Sequence, residues 1–291
     1  MTVNLTEPLS RSPVLPISVV VLTFNAEATI GATLASARRV SDDVHVVDSY
    51  STDRTLEIAR GAGAIVTQHP FEHYGAQRNW AIDTLAFKYD WQLHLDADER
   101  LSDELAAELQ ALVARGLPAG IAGYYIPRLV HFHGRALRHG GMYPIYHLRL
   151  FRRGRGRCEN RKYDQHFMVD GPTGKLASPM IDDIRIPLGE WTSRHNRWAD
   201  AEVDELLAPT AGVIAGDKSG DPVAGKRAQR GFYYRQPLFL RALLLFLYRY
   251  VFKLGFLDGR EGLIFYVLQT FWFRFLVDAK LYERRKAMGK R

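Results

Sequence analysis

The sequence predicts an α/β protein: a mostly parallel layered sheet, then a region of short strands, then a basic amphipathic tail. Three observations carry this. Four apolar runs between residues 17 and 96 alternate with helical patterns, the signature of parallel strands joined by crossover helices. After about Gly120 short strand-like runs sit instead among Gly, Arg and His. From Lys226 onward, 66 residues hold 15 Lys and Arg against 4 Asp and Glu, with 16 of the 34 aromatics. The overall charge of +7 is therefore concentrated at one end.

Each element follows from its residues. Ile17–Leu22 (ISVVVL) is apolar and β-branched and reads as a strand buried on both faces. Ala28–Arg39 sets Ile30, Leu34 and Ala37 on one side of a helix. Val44–Asp48 is the second strand. Thr52–Ala62 is a helix with Leu56, Ile58 and Ala59 inward, closed by Gly61 and Gly63. Ala64–Thr67 is the third strand, Tyr74–Leu85 a helix, and Trp91–Asp96 the fourth strand. Ser102 caps a helix whose Leu105, Leu109, Leu112 and Val113 form a stripe. Short strands are predicted at Tyr124–Ile126, Arg128–His133 and Leu148–Phe151, and a polar helix within Trp191–Leu207. Gly212–Gly225, rich in Gly and Asp, reads as a linker.

Composition narrows the class. With 47% apolar and 24% charged residues the chain is globular, and its one cysteine, Cys158, excludes a disulfide framework. Met1–Pro16 lacks a basic segment followed by a long apolar stretch, so no signal peptide is expected. In the tail, Leu238–Leu254 is apolar except Arg241, Arg249 and Lys253, and Gly255–Gly259 breaks it. Leu263–Tyr282 is a second helix with Thr270, Arg274 and Asp278 along one face. The longest uncharged stretch, Gly262–Phe273, is shorter than the roughly 20 residues a bilayer needs. Two amphipathic helices with cationic polar faces suit an anionic membrane surface. Nucleic acid as partner is set aside, because these helices are too apolar for a solvated nucleic-acid reader.

Parallel sheets bind ligands beyond the carboxyl ends of their strands. That rule selects Asn25, Asp48 and the group Asp96-Ala97-Asp98-Glu99. An Asp-x-Asp pair at a strand end can divide labour: one carboxylate accepts from a ribose hydroxyl, the other holds a divalent cation that bridges a diphosphate. Ser51 or Thr52 can cap the second helix, leaving Asp48 for a ligand. His94 reads as a core residue. Gly-x-Gly-x-x-Gly after the first strand, the P-loop, the nucleophile elbow and His-Glu-x-x-His are all missing.

Ile17–Asn25, Val46–Asp53 (VVDSYSTD), Gly75–Trp80 (GAQRNW) and Leu95–Arg100 (LDADER) resemble family 2 glycosyltransferases of the GT-A fold. The nearest branch is similar to the lipopolysaccharide-core β-glucosyltransferase-like enzymes. Tyr125–Arg128, Leu148–Phe151, Gly255–Gly259 and Ala279–Leu281 fit as well. The resemblance implies that Thr23 and Asn25 line a nucleotide pocket and that Asp48 contacts the base. It places Arg78 and Asn79 toward the nucleotide or its phosphates, Asp96 at the ribose, and Asp98 at Mg²⁺ or Mn²⁺. It implies an inverting transferase taking sugar from a nucleotide-sugar, UDP-linked as the first expectation, to a lipid-linked oligosaccharide or lipopolysaccharide core. The expected location is the cytoplasmic face of the bacterial inner membrane, peripheral or monotopic.

Inversion needs a general base on the acceptor side. Asp164 is the first candidate and Glu159 the second. The branch often has His-Glu where this chain has Asp164-Gln165. Arg194–Trp198 (RHNRW) is similar to the Gln-x-x-Arg-Trp of processive synthases, with Arg194 in place of Gln, but no spanning helices are predicted. A sugar-nucleotide pyrophosphorylase is the enzymic alternative. Thr23–Glu27 (TFNAE) is unlike its Gly-rich first loop. The expected organisation is a tail (1–16), a donor-binding half (17–122), an acceptor-binding half (123–211), a linker (212–230) and membrane-associating helices (231–291).

Overall fold

The computed structural model describes residues 14–160, 165–208 and 230–289. Its strands are β1 (Ile17–Thr23), β2 (Asp43–Asp48), β3 (Ile65–Gln68), β4 (Trp91–Asp96), β5 (Glu99–Leu101), β6 (Gly123–Phe132), β7 (Arg135–Ala136), β8 (Ile145–Arg152), β9 (Gly156–Cys158), β10 (Phe167–Val169), β11 (Thr173–Lys175) and β12 (Met180–Ile184). Its helices are α1 (Ile30–Arg38), α2 (Thr55–Gly61), α3 (Tyr74–Thr84), α4 (Asp103–Ala114), α5 (Leu188–Leu207), α6 (Leu240–Leu247), α7 (Gly259–Tyr266) and α8 (Phe273–Ala287).

The main sheet runs β3-β2-β1-β4-β8-β6-β12-β5. β1 sits between β2 and β4, all parallel, and every one of its residues is buried. This is the predicted α/β core: Val19 and Val21 meet Ile30 and Leu34 of α1 and Leu105 and Leu109 of α4. The sheet then departs from simple alternation. β8 pairs antiparallel with both β4 and β6, and β12 pairs antiparallel with β5, so one sheet crosses residue 122 without interruption. β6 is a single strand through Pro127, where two were expected. A register shift at Tyr124/Tyr125 bends it.

Local chemistry sets the helix ends. Ser102 caps α4 as predicted, its hydroxyl accepting from Leu105 N–H at 3.0 Å. α2 starts three residues later than predicted, because Asp53 rather than Ser51 or Thr52 takes the Thr55 N–H (3.0 Å). α5 buries Trp191, His195, Ala199, Glu202 and Val203, a stripe at helical spacing that packs on α8.

The tail reverses one expectation. Thr270, Arg274 and Asp278 do share a face, but it looks into the protein. The Thr270 hydroxyl donates to the Tyr266 carbonyl (2.6 Å), Arg274 to Glu202 (2.9 Å), and Asp278 is fully buried against Arg241. Arg249 reaches Met142, leaving Lys253 as the exposed cation of the three on the first helix. The outward faces are apolar: Leu240, Leu243, Leu244, Leu247, Val251, Phe252, Leu263, Ile264 and Val267. The break falls at Leu254 (φ 59), and helical structure then runs from Gly255 to Ala287. This 33-residue run is long and apolar enough to cross a bilayer by length and composition, where no spanning helix was expected, because a stretch of this length tolerates a few charges such as Arg274 and Asp278. Buried Asp258 fixes it to the body, accepting from the backbone N–H groups of Arg138 and His139, from His139 Nδ1 (2.7 Å) and from the Tyr266 hydroxyl (2.9 Å).

Candidate active site

The site forms where β4 ends. Asp96 is gripped by two arginines: Arg78 Nη2 donates to both of its oxygens (2.8 and 3.1 Å) and Arg149 Nη2 to one (2.8 Å). Arg149 also donates to buried Glu99 (2.5 Å), whose other oxygen accepts from the Asp96 N–H (3.0 Å). Burial opposes ionisation of Asp96, but Arg149 and Arg78 outweigh it and hold the carboxyl well below the usual carboxylate range.

Asp98 differs. Among the described residues no group donates a hydrogen bond to its carboxylate. Burial, then the charges of Asp182, Asp96 and Glu99, push it well above the usual range. Asp182 arrives from β12, in register with Glu99, and is itself raised by burial. Arg128 lies 3.4 Å from Asp182, and the positive charge of Arg194 on α5 acts on both Asp98 and Asp182. An under-neutralised group of hard carboxylate oxygens fits Mg²⁺ or Mn²⁺. Among the described residues no three His, Cys, Asp or Glu side chains form a cage. The donors therefore fit an ion that takes the rest of its ligands from outside the protein, as Mg²⁺ commonly does.

The other predicted residues are placed as follows. Thr23 lies opposite Asp48 in the β1–β2 register, its buried hydroxyl lacking a partner among the described residues. Asn25 has φ 46, and its side-chain oxygen accepts from Thr52 N–H (2.8 Å), closing the β1 loop onto the β2 loop. Asp48 is not left free: it is fully buried and accepts from the Ser51 N–H (2.9 Å), the Ser51 hydroxyl and the Gln68 amide (3.0 Å). Its carboxylate shapes the loop because the loop's own N–H groups need an acceptor there. Arg78 turns to Asp96 rather than outward. Asn79 faces away from the site: both ends of its amide bond the Cys158 backbone at 2.9 Å, tying α3 to β9. Gly75 completes that contact, since a Cβ there would come within 2.3 Å of the Glu159 carbonyl.

Glu159 is buried, and its carboxylate accepts the His166 N–H (3.0 Å). Asp164 lies outside the described residues. His94 is a core residue, stacked on Phe151 and held neutral by burial and by Arg78 and Arg149. Sequence reasoning missed Arg149, Asp182 and Arg194. The signals available were the Leu148–Phe151 segment and the RHNRW segment; Asp182 had none.

The family model for glycosyl transferase family 2 matches residues 18–170, just over half of the chain. The chain belongs to this family. It is 36% identical over 118 residues to an uncharacterized glycosyltransferase of Rickettsia typhi, covering 40% of each chain. The chain thus spans about 40% of the length of that relative. It is 27% identical over 202 residues to the lipopolysaccharide core biosynthesis glycosyltransferase LpsC of Rhizobium meliloti, covering 67% of this chain and 73% of LpsC. A solved structure of the mannosyltransferase PcManGT from Pyrobaculum calidifontis, in complex with GDP-Man and Mn²⁺, is 14% identical with a TM-score of 0.46, covering 94% and 88%.

Proposed function

We propose that this member of glycosyl transferase family 2 is an inverting glycosyltransferase that moves a sugar from a nucleotide-sugar, UDP-linked as first choice, to a membrane-anchored glycan acceptor. The observation that carries the reading is Asp98: a strand-end carboxylate without a hydrogen-bond donor among the described residues, beside an Asp96 already neutralised by Arg78 and Arg149. One carboxylate is locked as architecture; its neighbour is left for a ligand.

In this reading the acceptor hydroxyl oxygen attacks the anomeric carbon while a side-chain base takes its proton. The carbon–oxygen bond to the diphosphate breaks on the opposite face, and its electron pair leaves with the nucleoside diphosphate. Asp98 would hold Mg²⁺ or Mn²⁺, which when bound neutralises charge on the leaving diphosphate. Asp164 is the first candidate base. Glu159 stays second, because its carboxylate is already engaged by the His166 backbone.

The acceptor class draws on two supports. LpsC is named for lipopolysaccharide core biosynthesis. The tail presents apolar side chains outward and turns Arg241, Thr270, Arg274 and Asp278 inward, the arrangement of a surface that meets lipid. Lys253 and Arg260 are exposed on either side of Leu254, Phe256 and Leu257 and would meet anionic headgroups. The inner face of α7 and α8 packs on the body, so the tail would lie in the interface of the inner membrane's cytoplasmic face.

The test is Asp98→Ala, assayed with UDP-, GDP- and dTDP-sugars with and without Mn²⁺. Transfer and the metal-dependent part of nucleotide binding should vanish while thermal unfolding is unchanged. Full transfer by the variant, or undiminished wild-type transfer in EDTA, would refute the assignment.

A further inference from the structure

The arginines around the β4 end are not equivalent. Arg78 and Arg149 are committed to Asp96 and Glu99, and Arg128 lies against Asp182. Arg194 is the exception. Among the described residues its guanidinium makes no hydrogen bond and no ion pair; its Nε is buried without a partner, as are those of Arg128 and Arg149, but those two spend their other nitrogens on carboxylates and Arg194 does not. A buried donor left unmade is costly, so a ligand that supplies acceptors to this fork relieves that cost on binding.

Its position is specified. α5 buries Trp191 and His195 against the tail helices, which fixes the rotation of the helix and turns Arg194 toward β4. The guanidinium lies 5.0 Å from the Trp198 ring, a cation–π contact that orients the fork without using its N–H groups. Its charge bears on Asp98, on Asp182 and on Tyr74 at the start of α3. Arg197, one turn along, is exposed.

Resting on the glycosyltransferase reading, we propose that Arg194 binds the phosphates of the nucleoside diphosphate, braced by Trp198, beside Asp98 and Asp182. A guanidinium suits this task because its planar fork grips phosphate oxygens through paired N–H bonds. It also explains why a cation stands beside Asp98 and Asp182 without closing onto either: an ion pair there would consume the fork.

The experiment is calorimetric titration of the full-length protein in detergent with UDP, GDP and dTDP, each with Mn²⁺, and with the corresponding nucleosides. For the diphosphate that the wild type binds best, Arg194→Gln should weaken binding roughly 10- to 100-fold, as expected for losing charge-assisted bonds, and leave the nucleoside's affinity unchanged. Arg194→Lys should recover part of the loss, and Arg197→Gln should bind as wild type. Melting curves of each variant establish that the fold is kept; if Arg194→Gln does not fold, a wild-type diphosphate affinity in Arg194→Lys overturns the proposal, and a partial loss confined to the diphosphate supports it. Unchanged diphosphate affinity in Arg194→Gln overturns the proposal, including when only acceptor kinetics change, since the guanidinium then serves an acceptor phosphate. A wild type that binds none of the three diphosphates overturns the glycosyltransferase reading itself.

Discussion

Asp278→Ala removes the carboxylate around which the tail closes. That side chain is fully buried and accepts from Phe239 N–H at 2.7 Å, Arg241 Nε at 2.8 Å and Arg241 Nη2 at 2.5 Å. Arg241 is only 3% exposed and otherwise donates to the Tyr234 carbonyl at 3.0 Å. Without Asp278 a buried guanidinium keeps its charge and loses its counter-charge, which costs about 3–5 kcal/mol. The Phe239 N–H is also orphaned, at about 1–3 kcal/mol, and Phe239 sits at φ 67, a turn that this bond helps to hold. The two losses share one group and overlap, so about 4 kcal/mol is expected. Arg241→Met with Asp278→Leu removes both charges together and should cost only about 1 kcal/mol. Urea denaturation in mild detergent, followed by far-UV circular dichroism, measures both variants. A loss below about 1 kcal/mol for the single variant, or a double variant as unstable as the single, would refute the argument that counter-charge holds the tail together.

Burial pushes His195 down to about 4, against the opposing hydrogen bonds to the Trp191 carbonyl and the Gln269 amide, from a reference value of 6.5. The folded state then binds fewer protons than the unfolded one, so this group's contribution is fully present above pH 6.5. It is lost as pH falls toward 4, by about 3 kcal/mol in all. His195→Gln should flatten that slope in urea melts stepped through pH, and an unchanged slope would count against it. Phe252→Glu, at a side chain 76% exposed, should leave stability within about 0.5 kcal/mol yet reduce sedimentation with anionic vesicles; unchanged sedimentation would remove this face from the interface. High salt should release the wild type only partly, because the outward face is mainly apolar. Asp164→Asn should lower turnover roughly 100-fold or more with donor affinity near wild type; if it stays active and Glu159→Gln is dead, the two candidates exchange roles.

Much of the parallel part of the sheet was legible in the chain because its signals are local. The four strands and the Ser102 cap depend on side-chain periodicity and on groups within a few residues of one another. The strand-end rule likewise led to Asp96 and Asp98 from sequence alone. The partners of those carboxylates were not legible. Arg149 reaches Asp96 only because β8 runs antiparallel beside β4, and Asp182 reaches Asp98 only because β12 registers against β5. Neither pairing leaves a mark in the local pattern. Asn79 shows the converse, since a motif named it for the nucleotide and the fold spends both ends of its amide on Cys158.

The tail draws the line most clearly. The sequence determined that Thr270, Arg274 and Asp278 share one helix face and that the cations Arg241, Arg249 and Lys253 group on another helix. It could not determine which way those faces look. A helical period fixes the angle between side chains and says nothing of the direction of the core. Direction was decided by partners far along the chain. Glu202 and Arg241 are buried, and each needs a charged neighbour, which Arg274 and Asp278 supply. Arg241 and the face of Thr270, Arg274 and Asp278 therefore turn inward, Lys253 stays exposed, and the apolar faces are left on the outside.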